Sequence, residues 1–257
     1  MEIITNLISG FSGTIAYVGT LMPTLLDGTW VTVKLFLWTM VLALPLGLPI
    51  ALGSNMRFWP LRALCKLYVF VFRGTPLMLQ LFFFYFFLPI AYGVRLDVFT
   101  TSVITFVLNY SAYFAEIYRG GINGIDQGQY EAAHALGLSK SRTMMGIVLP
   151  QMMRIILPPV SNEAIVLIKD TALASVISLG ELMKASKAAV NRDVDPMAYF
   201  VAAVIYLLLT FILTLVASKL EKRYNVYSQQ DGAGKKDAKK ASKVSGIHEA
   251  IPERQAL

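Results

Sequence analysis

Apolar residues in this chain gather into long runs divided by short polar stretches, and strand-like alternation is not seen. Five runs occupy residues 28–53, 67–92, 98–118, 147–168 and 197–218. Each is close to or beyond the roughly 20 residues that carry an α-helix across a hydrocarbon core about 30 Å thick. That layer holds no water to satisfy the backbone, so only helices or a closed barrel can span it. The short alternating strands of a barrel are missing from the pattern. An all-α integral membrane protein follows, with about five transmembrane helices in one domain.

The remaining stretches differ in kind. Residues 1–27 are only moderately apolar and rich in Gly, Ser and Thr, so they are expected to lie at the membrane surface as an amphipathic segment. No basic residue precedes Lys34, and a cleavable signal peptide, which opens on positive charge, is not expected. Residues 169–180 read as a short re-entrant or interfacial piece. Residues 226–257 hold no hydrophobic period and are rich in Lys, Ala, Ser and Gly, which predicts a disordered basic tail.

Composition agrees, with 56% hydrophobic and 15% charged residues in 257, against about 25% charged in soluble domains. A net charge of +7 would suit nucleic acid, but its distribution does not, because nine of the 23 basic residues follow residue 218. Loops 54–66 and 119–146 carry Arg57, Arg62 and Lys66, and Arg119, Lys140 and Arg142. The opposite side carries only Arg95, Lys184, Lys187 and Arg192. This bias sets the N-terminus outside, the C-terminus in the cytoplasm, and residues 119–146 on the cytoplasmic face.

Enzymatic chemistry finds little support. GAGKK in the tail lacks both the GK[ST] spacing and the preceding strand of a nucleotide-binding loop. His134 and His248 are the only histidines, so a Ser-His-Asp arrangement is not credible, and no paired metal-ligand spacing occurs. Cys65 stands alone, without a partner for a disulfide or a thiolate metal site. Uphill transport by this chain would have to draw its energy from another source.

The polar stretch 126–145 is built more deliberately than a loop needs. Asp126 can cap a short helix reading QGQYEAAHALG, whose face carries Tyr130, Ala133 and Gly137 with Glu131 and His134 beside it. Gly137 can supply the left-handed turn that ends it, and Ser139 can cap a second helix that feeds the fourth run. The small residues Ala132, Ala133 and Gly137 permit close approach of another backbone, while Glu131 offers an acceptor to a partner's Arg or backbone N–H. Helical spacing alone suits an amphipathic connecting loop equally well.

The particular residues go further. Glu131-Ala132-Ala133, then Gly137, Ile147 and Leu149-Pro150 at their defining offsets, resemble the EAA signature of binding-protein-dependent ABC transporter permeases. Further blocks resemble the polar amino-acid branch of that family. They are Arg73-Gly74-Thr75-Pro76, Asn109-Tyr110-Ser111-Ala112-Tyr113 with Glu116, Arg119-Gly120-Gly121-Ile122, and Leu157-Pro158-Pro159 through Asn162-Glu163 to Lys169-Asp170-Thr171. The resemblance covers residues 22–225 and leaves the basic tail without a counterpart. It implies a type I ABC importer permease fold over residues 28–225, with the 126–145 region as a cytoplasmic coupling helix seated in a groove of an ATPase subunit.

Polar groups inside the runs are the candidates for a path. An ionisable side chain at mid-membrane costs roughly 2.5–3.5 kcal/mol on insertion scales and requires a reason. Glu163 lies roughly 24 Å along the helix from Ile147, and Pro158-Pro159 just before it is expected to break the helix and free carbonyls. Asn162 and Glu163 at such a break would suit a zwitterion, or they form a structural polar pair. Arg73 either faces a substrate carboxylate or pairs with Glu116 between helices, and Thr75 and Gln80 are candidates for lining the same path. Lys34 can snorkel to the interface, and the aromatic run 82–87 reads as lipid-facing and core packing.

The expectation is therefore a permease subunit of an ATP-driven polar amino-acid importer in a prokaryotic plasma membrane. The resemblance implies a second permease subunit (identical or related), ATPase subunits that hold ATP and Mg, and an extracytoplasmic binding protein. This chain would bind no cofactor and no nucleic acid, and lipid would surround it. An ion-gradient transporter or channel is the competing class, although it predicts internal repeats and buried carboxylate chains that the sequence does not display.

Overall fold

The computed structural model describes the backbone of residues 2–225 and side chains from 16 to 224. The expected tail at 226–257 lies outside the described residues. Eight helices follow in order: α1 (Glu2–Ser54), α2 (Trp59–Gly74), α3 (Leu77–Tyr92), α4 (Val98–Asn123), α5 (Gln127–Ala135), α6 (Lys140–Ile177), α7 (Leu182–Asp193) and α8 (Met197–Asn225). Helices α1, α4, α6 and α8 are long and apolar enough to span a bilayer, and the bent pair α2/α3 makes a fifth span.

The N-terminal region differs from expectation in continuity. Instead of a separate surface segment, one helix runs from Glu2 to Ser54 through Pro23. Its part from Ala16 to Ser54 has 39 residues, or about 58 Å at 1.5 Å per residue, which exceeds the hydrocarbon core. The surplus is fastened to the far end of the chain. Leu21 and Leu25 are buried against Leu182, Ala198 and Ala202, and the Tyr17 hydroxyl donates to Asp193 Oδ2 at 2.8 Å. Sequence reading missed this because the contacts join residues about 160–180 positions apart, beyond the reach of local periodicity.

Helix α1 packs along α4 through small residues at every fourth position. Ala43 and Ala51 are fully buried, and a Cβ on Gly47 would fall 2.8 Å from Phe114 Cβ and 3.0 Å from the Ala115 nitrogen. Between spans, where lipid tails are as apolar as leucine, this close approach is the main source of attraction. The Tyr118 hydroxyl adds a hydrogen bond to the Leu44 carbonyl at 3.1 Å.

Proline shapes the other spans in three ways. At Pro76 the chain bends by 104° between α2 and α3, with Thr75 extended as a residue before proline prefers. At Leu88-Pro89 and Leu149-Pro150 the preceding five residues, Phe83–Phe87 and Met144–Val148, widen to π-type turns. A proline ring crowds the carbonyl four residues back, and a wider turn relieves the clash. At Pro158-Pro159, by contrast, the expected break is not present, and the helix Leu149–Asp170 runs through both prolines. Proline's φ near −65° already suits a helix, and spanning helices tolerate the lost donors when surrounding groups compensate.

Beyond Ile177 the chain turns back on itself and Glu181 caps α7. Its carboxylate accepts from the Met183 and Lys184 N–H groups at 2.8 and 2.7 Å and from the Tyr206 hydroxyl at 3.0 Å, while the Leu182 N–H donates to Thr32 Oγ1 at 3.2 Å. The fully buried Glu181 side chain thus joins α7 to α8, and the Leu182 N–H beside it ties α7 to α1. Burial pushes this carboxyl up to about 7 against the opposing pull of its three donors. A raised carboxyl favours the folded state in its protonated form. Its contribution is fully present below the ordinary carboxylate range and is lost as pH rises through about 7. Thermal unfolding of the purified protein should therefore give a midpoint that falls between pH 5 and 8, and Glu181→Gln should flatten that slope. An unchanged slope in the variant would assign the pH dependence to another group.

A candidate transport chamber and its coupling elbow

The break at Gly74–Pro76 opens a chamber of about 530 Å³ between α2, α4 and α6. Arg73, Thr75, Asn109, Tyr110, Glu163 and Asp170 supply its polar lining. Glu163 and Asp170 are seven residues apart, two turns on one face of α6. The Tyr110 hydroxyl donates to Asp170 Oδ2 at 2.8 Å, and the Arg73 guanidinium stands 5.2 Å over the Tyr113 ring. One cation and two carboxylates therefore converge on a space of small-molecule size.

The chamber exists because the break is stitched. Bending frees the Phe72 and Thr75 carbonyls, and the buried Gln80 amide reaches back to both, at 2.9 and 3.1 Å, and to Thr75 Oγ1 at 2.8 Å. Asn109 from α4 donates to the Phe72 carbonyl at 3.0 Å and to Gln80 Oε1 at 3.1 Å. Gln80, expected on the path, is thus a staple behind the wall, while Arg73, Thr75 and Glu163 are on it. Asn162 is exposed and not part of the lining.

Glu116 does not pair with Arg73. Its carboxylate is taken by Arg119 one turn along α4, with Nε 3.0 Å from both oxygens. The i,i+3 neighbour on the same helix is always within reach, whereas Arg73 must come from another helix. Sequence reading passed over Asp170, Tyr110 and Asn109 as site residues. Asp170 carried a signal, since its seven-residue spacing from Glu163 fixes both carboxylates to one face.

On the other side of the bundle, α5 and the start of α6 form the elbow. The Gly128 N–H donates to Asp126 Oδ1 at 2.7 Å, and the Arg142 N–H to Ser139 Oγ at 3.4 Å, so both expected caps are present. Gly137 adopts φ +69°, and the Leu138 and Gly137 N–H groups close a Schellman turn onto the Ala133 and His134 carbonyls at 3.0 and 2.9 Å. The elbow is fixed to the bundle by buried Ala133, by Tyr130 and by a Gln151–Gln129 hydrogen bond at 3.0 Å. Glu131, Ala132 and Leu136 are exposed. Ile147 lies in the widened turn, Val148 beneath it is fully buried, and Leu149 packs on the core with Pro150 beside it.

A chamber built on a broken span, linked through one continuous helix to a capped elbow, defines a polytopic transport subunit. The chain belongs to the binding-protein-dependent transport system inner membrane component family, whose model matches residues 43–226. It is 38% identical over 207 residues to the L-cystine transport system permease protein of Bacillus subtilis strain 168, covering 80% of this chain and 88% of that one. Against the glutamine transport system permease protein of Escherichia coli K12 the identity is 37% over 211 residues, covering 80% and 94%. A crystal structure of an amino acid ABC transporter with histidines aligns with a TM-score of 0.76 at 33% identity, covering 81% of this chain and 97% of that one. An inward-facing methionine ABC transporter shares the fold, with a TM-score of 0.67 at 16% identity.

The staple gives a direct test. Asn109→Leu leaves the Gln80 carbonyl buried without its donor, at a cost of about 1–3 kcal/mol. The midpoint of thermal unfolding in detergent should fall by several degrees, and Asn109→Ser should recover part of the loss. A midpoint equal to wild type in Asn109→Leu would mean that the bend does not depend on this contact.

Proposed function

We propose that this chain is the membrane-spanning subunit of an ATP-driven importer of polar amino acids. The observation that carries the reading is the convergence of Arg73 with Glu163 and Asp170 in a chamber mechanically joined to the elbow. A free amino acid is a zwitterion, so its carboxylate suits a guanidinium fork and its ammonium suits a carboxylate. With the ammonium on Glu163, Asp170 keeps its Tyr110 hydrogen bond or takes a cationic or amide side chain. Relatives named for glutamine, arginine and L-cystine transport support cargo of this class.

Energy enters through the elbow. Residues 126–145 dock on an ATPase subunit that holds ATP and Mg, with exposed Glu131, Ala132 and Gly137 as the seat. Movement of α5 passes through the Gln129–Gln151 contact and through buried Val148 and partly buried Leu149 into the rest of α6, which carries Glu163 and Asp170. An extracytoplasmic binding protein delivers the cargo, and a second permease subunit completes the path. The excess of basic residues in loops 54–66 and 119–146 supports an N-terminus outside and a cytoplasmic elbow in a prokaryotic plasma membrane.

Two substitutions separate docking from cargo recognition. Glu131→Arg changes an exposed residue and should leave thermal stability near wild type, yet abolish the ATP hydrolysis that loaded binding protein stimulates in the reconstituted complex. Normal stimulation would defeat the coupling role. Glu163→Gln should lower amino-acid uptake by roughly tenfold to a hundredfold, the scale of one charge-assisted hydrogen bond, and alter the order of competition within a panel of amino acids. Unchanged uptake and an unchanged order would remove Glu163 from the path.

A further inference from the structure

Arg73 lines two cavities. Besides the chamber under the bend, it closes one end of a second cavity of about 410 Å³ lined by Ser54, Asn55, Lys66, Glu116 and Arg119 together with Val69 and Phe70. This second cavity lies on the elbow side, between the end of α1, the face of α2 and the last turns of α4. Lys66, Val69, Phe70 and Arg73 follow one another at helical spacing on α2, so a cationic stripe leads from the edge of the span to the floor of the upper chamber.

The charges in this lower cavity do not balance. Three cations, Lys66, Arg73 and Arg119, face a single carboxylate, and Arg119 already holds that carboxylate. Arg73 stacks on the Tyr113 ring and feels the charges of Glu116 and Glu163 without forming an ion pair with either, and among the described residues no carboxylate forms an ion pair with Lys66. A surface belt of basic residues would follow from membrane topology alone, but topology does not place a guanidinium in the last turn of α2, at the bend within a span, where it meets a cavity on each side. A walled space with two cations that no ion pair neutralises is suited to an oxyanion.

We propose that the lower cavity is a release-side subsite for the carboxylate of the amino-acid cargo, and that Arg73, shared by both cavities, passes the carboxylate down to Lys66. The proposal rests on the transport function above. In the upper chamber Arg73 opposes Glu163 and Asp170, which hold the ammonium end. When rocking of α6 withdraws those carboxylates, the cargo remains held at its carboxylate alone, and the cationic stripe offers that group an exit toward the elbow side. Glu116, restrained by Arg119, repels the carboxylate from the α4 side and keeps it on the α2 stripe.

Lys66 provides the test, because it touches the lower cavity and not the upper one. The complete complex with its ATPase and binding protein is reconstituted in vesicles, and three quantities are measured: equilibrium occupancy by radiolabelled amino acid, uptake rate, and ATP hydrolysed per amino acid delivered. Lys66→Glu should lower uptake about tenfold and raise ATP used per amino acid, with occupancy unchanged and thermal stability near wild type, while Lys66→Arg should retain the wild-type rate. Wild-type uptake in Lys66→Glu would overturn the proposal. So would a parallel loss of occupancy, which would make Lys66 part of the upper site. The other oxyanion source, a lipid phosphate, is distinguished by vesicles of phosphatidylcholine alone. If wild-type uptake falls there to the Lys66→Glu level, Lys66 serves an anionic headgroup and the subsite reading is lost. Absence of occupancy and uptake in the wild type would instead sink the transport function itself.

Discussion

The constraint on which this structure depends is that a bend inside lipid must satisfy its own backbone. Turning α2/α3 through 104° releases carbonyls at a depth where water is scarce, and each unsatisfied group there costs several kcal/mol. The Gln80 and Asn109 amides meet that requirement from behind the bend. Their donors are spent on the Phe72 and Thr75 carbonyls, which leaves Arg73, Gly74 and Thr75 free to face the chamber. Without the staple, the backbone that shapes the site would have to reform a continuous helix, and the chamber would close.

A transport subunit also needs parts that do not yield. The Ala43-Gly47-Ala51 seam brings α1 against α4 with almost no intervening side chain, and such contacts resist sliding because packed interiors have discrete rather than continuous arrangements. At the other end, Glu181 fastens α7 to α8, and the neighbouring Leu182 N–H fastens α7 to α1. Between these two fixed points, α6 carries the widened turn ahead of Pro150 and the two internal prolines. The departures from regular helix geometry thus fall in the helix that joins the elbow to Glu163 and Asp170. Leu149-Pro150 thereby has a structural role, since the proline ring accounts for the wide turn that precedes it.

What could be read from the sequence was local chemistry. Apolar runs gave the spans, and Asp126, Ser139 and Gly137 gave the elbow, because each depends on a few adjacent residues. What could not be read depended on distant partners. The N-terminal segment joins α1 because Leu21 and Leu25 meet α7 and α8. Pro158-Pro159 leaves its helix intact because neighbouring spans, not sequence, decide whether a proline interrupts. Asn162 beside Glu163 takes a different face, which a 100° step between adjacent helical residues requires and which the zwitterion argument overlooked. Arg119 could have been preferred over Arg73 as the partner of Glu116 from spacing alone.

The chamber finally bears on assembly. Arg73, Gly74 and Thr75 are exposed at the surface of this chain, although they lie within a spanning segment. A guanidinium facing hydrocarbon is costly even on the most lenient insertion scales, and snorkelling from the middle of a bent span would pull it away from Tyr113. A surface of this polarity at this depth calls for protein or a water-filled path opposite it rather than lipid. The lining groups come from the bent pair α2/α3 with its Thr75-Pro76 break, from α4 and from α6. A second permease subunit presenting the same face would close the opening, exclude lipid from Arg73 and set two chambers about one axis. The exposed arginine is thus an argument from this chain alone against a lipid-facing surface at the chamber.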